Sequence, residues 1–156
     1  WVREGYIKAT EGEVVDYDVI RADINALARR FRIRQLAIDR WNSRQLQTQL
    51  MGDGIEVVEF GQGFASMSAA SKEFERLIRL RALRHGGNPV LTWMASNVAI
   101  RTDAAGNIKP DKERSTERID GIPAAVMAVD LATRHVEGPT GISLFIPGEG
   151  EGEGER

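Results

Sequence analysis

Short apolar runs that alternate with segments of helical periodicity constrain this fold most strongly. Residues 33–38 and 55–60 form two such runs of strand length, and Val57 and Val58 lie in the middle of the second. In the segments around them, apolar residues recur at spacings of three and four, which indicates helices that pack by one face. Strands that alternate with helices predict an α/β domain.

The same pattern predicts the order of the elements. An initial strand is expected over residues 1–9, and a helix with Asp16 as its N-cap follows it. Ser43 is expected to cap a second helix that Gly52 ends. Further helices are predicted over residues 68–85, 90–96 and 119–134, with a hairpin over 98–109 before the last of them.

The end of the chain differs in composition from the rest. Residues 148–155 alternate glycine and glutamate almost throughout and contain no apolar side chain, so we expect them to be disordered. We therefore predict one domain over residues 1–135 and a C-terminal extension over 136–156. The chain begins with Trp1 rather than Met, and we expect it to be part of a longer protein.

Composition narrows the chemistry. The chain contains no cysteine and only two histidines, which excludes disulfides, thiolate zinc sites, a cysteine nucleophile and a multi-histidine metal site. Any metal must be held mainly by carboxylates, which favours Mg²⁺ or Mn²⁺. The net charge of −2 neither demands nor forbids nucleic acid as a partner. No apolar run approaches the roughly 20 residues that span a bilayer, so no membrane partner is expected.

Asp39 is the sharpest single candidate for a functional residue. It ends an apolar strand, and ligands of open α/β sheets gather at the carboxyl ends of strands. A carboxylate in that position can coordinate a divalent cation beside a cleft. The position alone rather favours a structural role, in which Asp39 caps the helix that follows, since Asp is a common cap.

Asp120 is the second candidate. It stands where a polar loop becomes a helix rich in small residues, which lets that helix pack closely against a sheet. Its alternative role is that of an acid that interacts with the helix dipole. Together the two acids suggest two-metal phosphodiester chemistry, although such a site needs three or four carboxylates. Lys109 and Lys112 are candidates for contacts with DNA phosphates, with solvated lysines as the alternative.

Five blocks of sequence point to a family. They are Gly5-Tyr6 with Val15-Asp16-Tyr17; Gln35 to Asn42; Gly61-Gln62-Gly63 with Ser66-Met67-Ser68; Asn88-Pro89-Val90-Leu91 with Trp93 and Asn97; and Arg118-Ile119-Asp120-Gly121 with Ala124 and Ala128. In this order and spacing, over residues 1–132, they resemble the C-terminal nuclease domain of phage terminase large subunits.

The resemblance implies an RNase H-like mixed sheet flanked by helices and a metal-dependent endonuclease that cuts concatemeric DNA by a two-metal reaction. It implies that Asp39 and Asp120 are catalytic ligands of Mg²⁺ or Mn²⁺. Asn42, Lys109 and Lys112 are then expected to contact double-stranded DNA. Further expected partners are the terminase small subunit and the portal or prohead, in the cytoplasm of a bacterial host.

The chain departs from the family pattern in one respect. Family members carry another essential Asp on a first, central strand, upstream of the segment that corresponds to residues 1–9. We therefore expect a sheet without that strand, weak metal binding and poor DNA cleavage by these residues alone. The alternatives are a non-catalytic prophage remnant or a module that docks on DNA or a portal. A nucleotide-binding domain is disfavoured because no glycine fingerprint follows a strand.

Overall fold

A computed structural model describes residues 1–10, 12, 14–40 and 43–134, together with the backbone of residues 142 and 143. Within this part of the chain, helices and strands alternate as the sequence predicts. The elements are α1 (Tyr17–Arg30), β1 (Leu36–Asp39), α2 (Arg44–Gly52), β2 (Val57–Phe60), α3 (Phe64–Arg79), β3 (Leu83–Arg84), α4 (Pro89–Asn97), β4 (Ala99–Thr102), β5 (Ile108–Asp111), α5 (Gly121–Arg134) and β6 (Ile142–Ser143).

The described strands form three two-stranded sheets, of which two are parallel and one is antiparallel. β1 and β2 are parallel, and the last residue of β1, Asp39, lies opposite the last residue of β2, Phe60. β4 and β5 form an antiparallel hairpin in which Ala99 lies opposite Asp111. β3 pairs in parallel with β6. Because β1 and β2 run in the same direction, the chain leaves both of them at the same edge.

The β1–β2 sheet separates two hydrophobic clusters. Leu36 and Ile38 pack on one side, against a small cluster that α1 and α2 contribute to. Ala37 lies between them in the strand and packs on the other side, against the main core. Successive side chains of a strand point to opposite faces, so Asp39 is on the face of Ala37. The acid is thereby directed towards the layer of α3 and α5.

The main core is formed by α3, α4 and α5 against β2. Gly121 allows α5 to begin close to α4, since a Cβ atom there would lie 2.9 Å from Met94 Sδ and 3.2 Å from Leu91 Cδ1. Gly121 thus makes its close approach against a helix, while the predicted packing of α5 against a sheet is seen at Ala37 of β1. The buried residues of this core are Phe60, Met67, Ala70, Phe74, Leu77, Leu91, Ile122, Ala125, Val126, Met127 and Val129.

The cap predicted for the first helix is confirmed. An oxygen of the Asp16 side chain accepts hydrogen bonds from the backbone N–H groups of Asp18, at 2.8 Å, and Val19, at 3.4 Å. Ser43 precedes α2 as expected, but its hydroxyl does not cap that helix. It donates instead to the backbone carbonyl of Asp39. This bond ties the end of β1 to the start of α2.

The helix predicted over residues 68–85 begins and ends earlier, as α3. It stops because Arg81 adopts a left-handed conformation, with φ of 55°. The N–H of Arg81 donates to the carbonyl of Ile78 and the N–H of Ala82 to that of Leu77, each at 2.9 Å. These two bonds are those of a Schellman motif, which reverses the chain and lets β3 begin at Leu83.

The strand predicted over residues 1–9 is wrong. The N–H of Gly5 donates to the carbonyl of Val2 at 3.1 Å, and the N–H of Tyr6 donates to that of Trp1 at 3.0 Å. Gly5 has φ of 80°, which a strand does not tolerate. The segment is a turn, and it is anchored by edge-on contact of the Trp1 and Trp93 rings, whose centroids are 5.3 Å apart.

Two further expectations concern the C-terminal tail and membrane-spanning helices. The expectation of a disordered Gly/Glu tail concerns residues outside the described part of the chain. Among the described residues, none of the helices has the length and apolar character needed to cross a bilayer.

Candidate active site

A cleft of about 280 Å³ opens where the carboxyl ends of β1 and β2 meet the hairpin and the start of α5. We call it the Asp39 cleft. Carboxyl ends of parallel strands are the usual place for a ligand in an α/β fold. The described residues that line it include three acids and three bases. The lining consists of Asp39, Gln62, Arg101, Lys109, Pro110, Asp111, Lys112, Glu113 and Pro123.

The end of β1 and the loop after β2 place two polar side chains in this cleft. Asp39 is half-buried at the end of β1, where the hydroxyl of Ser43 donates to its carbonyl. Gln62 enters from the loop after β2, and its Nε2 lies 3.5 Å from Met127 Sδ of α5. The sequence prediction that Asp39 stands at the mouth of a cleft agrees with this placement.

The hairpin forms the opposite wall because it is docked on α3. The N–H of Ile108 donates to Ser68 Oγ at 3.2 Å. Lys109 Nζ donates to the carbonyl of Gln62 at 3.1 Å and lies 5.6 Å from the centre of the Phe64 ring. Lys109 is thus held at the cleft by its neighbours, and the end of β5 presents Asp111 and Lys112 beside it.

Asp111 is a cleft residue that the sequence analysis did not single out. It is 4% exposed, and its Oδ1 accepts from the N–H groups of Glu113, at 3.0 Å, and Arg114, at 3.4 Å. Its Oδ2 is buried without a hydrogen-bond partner. The hairpin predicted from the sequence ended at residue 109, whereas β5 continues to Asp111, so the strand-end pattern that marked Asp39 was missed here.

Asp120 lies beside the cleft rather than in its lining. It immediately precedes α5, and its Oδ1 is 2.5 Å from Nζ of Lys112. Both side chains of this ion pair are more than half exposed. The structure thus brings Asp39, Lys109 and Lys112 to one cleft and joins Asp120 to it through Lys112. Asn42, the remaining candidate, lies outside the described residues.

The donor chemistry of the cleft fits a hard divalent cation. Its candidate ligands are oxygen atoms of carboxylates and of an amide, which Mg²⁺ and Mn²⁺ accept. The buried, unpartnered Oδ2 of Asp111 adds a donor. Glu113 contributes little, since its side chain is 87% exposed and lies 4.0 Å from Arg101. Within the described ranges, no three acids or histidines converge closely enough to hold a metal ion.

The chain is similar in sequence to known proteins. Residues 1–136 match the family model "Terminase large subunit, endonuclease domain". The large terminase subunit of Enterobacteria phage HK97 is 42% identical over 138 residues, which cover 87% of this chain and 27% of that protein. Protein YmfN of Escherichia coli K12 is 32% identical over 134 residues, covering 85% of this chain and 30% of its own length.

A solved structure agrees with these matches. The crystal structure of the HK97 bacteriophage large terminase superposes with a TM-score of 0.78, covering 84% of this chain and 28% of that one. The predicted α/β fold class is therefore confirmed, as is the family resemblance carried by the five sequence blocks. The chain spans less than a third of the length of each of these relatives.

Proposed function

Because the chain belongs to the family of terminase large-subunit endonuclease domains, we propose that it hydrolyses phosphodiester bonds of double-stranded DNA with Mg²⁺ or Mn²⁺. The observation that carries the proposal is the position of Asp39 at the carboxyl end of β1, in a cleft that Lys109 and Lys112 also line. A carboxylate for a cation and amines for phosphates are the two requirements of such a site.

The cleft residues divide the work by charge. Asp39 would hold the cation, which when bound would polarise the phosphate and activate a water molecule. Lys109 and Arg101 would neutralise the phosphates of the DNA backbone. Lys109 is suited to this because its bond to the carbonyl of Gln62 fixes its ammonium group at the cleft wall.

We propose a switching role for Lys112. In the absence of substrate its ammonium group neutralises Asp120. A DNA phosphate would compete for the lysine, and Asp120 would then be available as a further metal ligand. This keeps both residues in the roles expected from the family resemblance. Asn42 follows Asp39 by three positions in the sequence and remains a proposed contact to DNA.

The cellular role follows from the relatives rather than from the cleft. The HK97 relative is named as a large terminase both in the sequence match and in the solved structure. We propose that this domain cuts concatemeric DNA during packaging in the cytoplasm of a bacterial host. The terminase small subunit and the portal or prohead would be its protein partners, and the reaction would use two metal ions.

A second candidate is a non-catalytic module that docks on DNA or on a portal. It is favoured by one observation, namely that the described residues hold no group of three acids or histidines able to bind a metal. The same observation leads us to expect only slow cleavage by this chain on its own, since each ion of a two-metal site must be compensated by several carboxylates.

Nicking of supercoiled plasmid by the purified chain tests the proposal. We expect slow nicking with Mn²⁺, none with EDTA, and none by Asp39→Asn. Asp103→Asn is the matched control, because Asp103 lies in the hairpin turn rather than in the cleft lining. Nicking that persists in Asp39→Asn would contradict the proposal. Absence of nicking by all forms, with retained DNA binding, would favour the docking module.

A further inference from the structure

We infer that Asp111 is a ligand of the divalent cation in the Asp39 cleft, bound through its Oδ2. The inference rests on the proposed function only in assuming that the cleft binds such a cation. Asp39 and Asp111 approach the cleft from different elements, one from the end of β1 and the other from the end of β5. Two carboxylates would balance the charge of one divalent ion.

Burial makes the state of Asp111 unusual. A carboxylate removed from water is costly unless its oxygens are compensated by hydrogen bonds, an ion pair or a metal. Asp111 is 4% exposed, and its Oδ2 has no hydrogen-bond partner. Arg114 forms an ion pair with it, with Nε 3.7 Å from Oδ2, and the Arg114 side chain is 71% exposed. That distance is too long for a hydrogen bond, and solvent screens a pair with so exposed a partner, so the compensation of Oδ2 is incomplete.

The rest of Asp111 is held in place. Its Oδ1 accepts from two backbone N–H groups, which fixes the plane of the carboxylate. The hydroxyl of Ser115 donates to its backbone carbonyl at 2.6 Å and accepts from the N–H of Ala99 at 3.0 Å. One oxygen is therefore oriented by the turn, while the other has no hydrogen-bond partner in a residue that lines the cleft. Metal ligands in proteins are oriented by such outer hydrogen bonds.

Asp103, at the other end of the same hairpin, shows that turn formation does not require an unpartnered oxygen. Its Oδ1 accepts from the N–H groups of Ala105 and Asn107, each at 2.9 Å. Its Oδ2 accepts from Asn107 Nδ2 at 2.8 Å, and this bond lowers the pKa of Asp103. Both oxygens are satisfied within the turn. Asp111 makes a similar turn, but its Oδ2 has no hydrogen-bond partner.

Titration of the ¹⁵N-labelled chain with Mn²⁺ tests the inference independently of cleavage, because the paramagnetic ion broadens nearby amide signals even when it binds weakly. Wild type and Asp103→Asn should lose the signals of the Asp39 cleft at the same Mn²⁺ concentration. Asp111→Asn keeps an oxygen for the turn and removes the charge. It should need at least about tenfold more Mn²⁺, the scale of loss seen when a metal site is weakened.

The outcomes separate the two proposals. Equal titrations of Asp111→Asn and wild type, with loss of the effect in Asp39→Asn, would overturn the inference and leave the proposed function intact. Absence of broadening in the cleft of wild type would overturn both. Relaxation rates in wild type need no variant, and they fall steeply with distance from the ion. Rates at Glu113 similar to those at Arg40 support the inference, and rates at Glu113 far below those at Arg40 overturn it.

Discussion

Lys112 Nζ lies 2.5 Å from Asp120 Oδ1, and the same lysine lines the cleft that contains Asp39. The ion pair joins the end of the hairpin to the start of α5. Because both side chains are more than half exposed, the pair is expected to stabilise the fold by less than about 1 kcal/mol. We therefore expect the pair to affect the binding of metal and DNA at the cleft more than it affects folding.

Replacement of Lys112 should separate metal binding from DNA binding. Lys112→Ala removes the cation that competes for Asp120, so Mn²⁺ should bind more tightly. The same change should weaken DNA binding and reduce its logarithmic salt dependence by about one. Calorimetric titration with Mn²⁺ and fluorescence anisotropy with labelled duplex DNA measure the two effects.

Lys72→Ala is the matched control, since Lys72 is an exposed residue of α3 outside the cleft lining. Unchanged Mn²⁺ affinity in Lys112→Ala would contradict the competition between lysine and metal.

Gly121 should be sensitive to a methyl group because α5 begins close to α4 there. Gly121→Ala would place its Cβ 2.9 Å from Met94 Sδ, and we expect a loss of about 1 kcal/mol because the flexible methionine gives way only in part. Gly52→Ala meets no atom within 4 Å and should stabilise the chain by about 0.5 kcal/mol. Urea denaturation measures both, and equal effects of the two substitutions would refute the close contact of α4 and α5.

Arg81 offers a stabilising substitution. Its φ of 55° is unfavourable for a residue with a Cβ atom, so Arg81→Gly should raise the free energy of unfolding by about 1 kcal/mol. Arg79→Gly, placed in the last turn of α3, should lower it by about the same amount. Thermal denaturation distinguishes these outcomes, and destabilisation by Arg81→Gly would show that α3 does not end in this way.

Asp53 should make stability depend on pH in the acid range. Hydrogen bonds from Arg21, and then from Asn25, lower the pKa of Asp53 to about 2. A depressed pKa stabilises the folded state above the ordinary pKa of about 4 and loses this effect as pH falls towards about 2. Asp53→Asn should therefore lower the melting temperature by a few degrees near neutral pH and by less near pH 3.

Arg76→Gln is a comparison within one helix rather than a neutral control, because the hydrogen bond from Arg76 also lowers the pKa of Glu73. A difference in melting temperature between wild type and Asp53→Asn that grows as the pH falls would contradict this prediction.

Features that depend on interactions between neighbouring residues, such as a helix cap, could be predicted from the sequence. Asp16 was recognisable as a cap because its side chain serves N–H groups two and three residues later. The strand over residues 1–9 failed because Gly5 has a positive φ that apolar alternation does not reveal. The end of α3 was missed because Arg81, a residue that rarely does so, adopts the left-handed conformation.

The candidate site was predictable in part for the same reason. Asp39 could be found because a strand that ends in an acid is a pattern along the chain. Asp111 was missed because the predicted hairpin stopped at residue 109, and its burial and unpartnered oxygen are features of the folded chain that a sequence pattern does not carry. The pairing of Lys112 with Asp120 likewise depends on the path of the chain between them.

A crystal of this chain soaked in Mn²⁺ and measured for anomalous scattering tests metal binding by Asp39. We expect a peak in the Asp39 cleft, within about 2.5 Å of a carboxylate oxygen of Asp39, the coordination distance of a hard cation. A well-ordered cleft with no peak beside Asp39, at a Mn²⁺ concentration that marks other carboxylates of the protein, would contradict it.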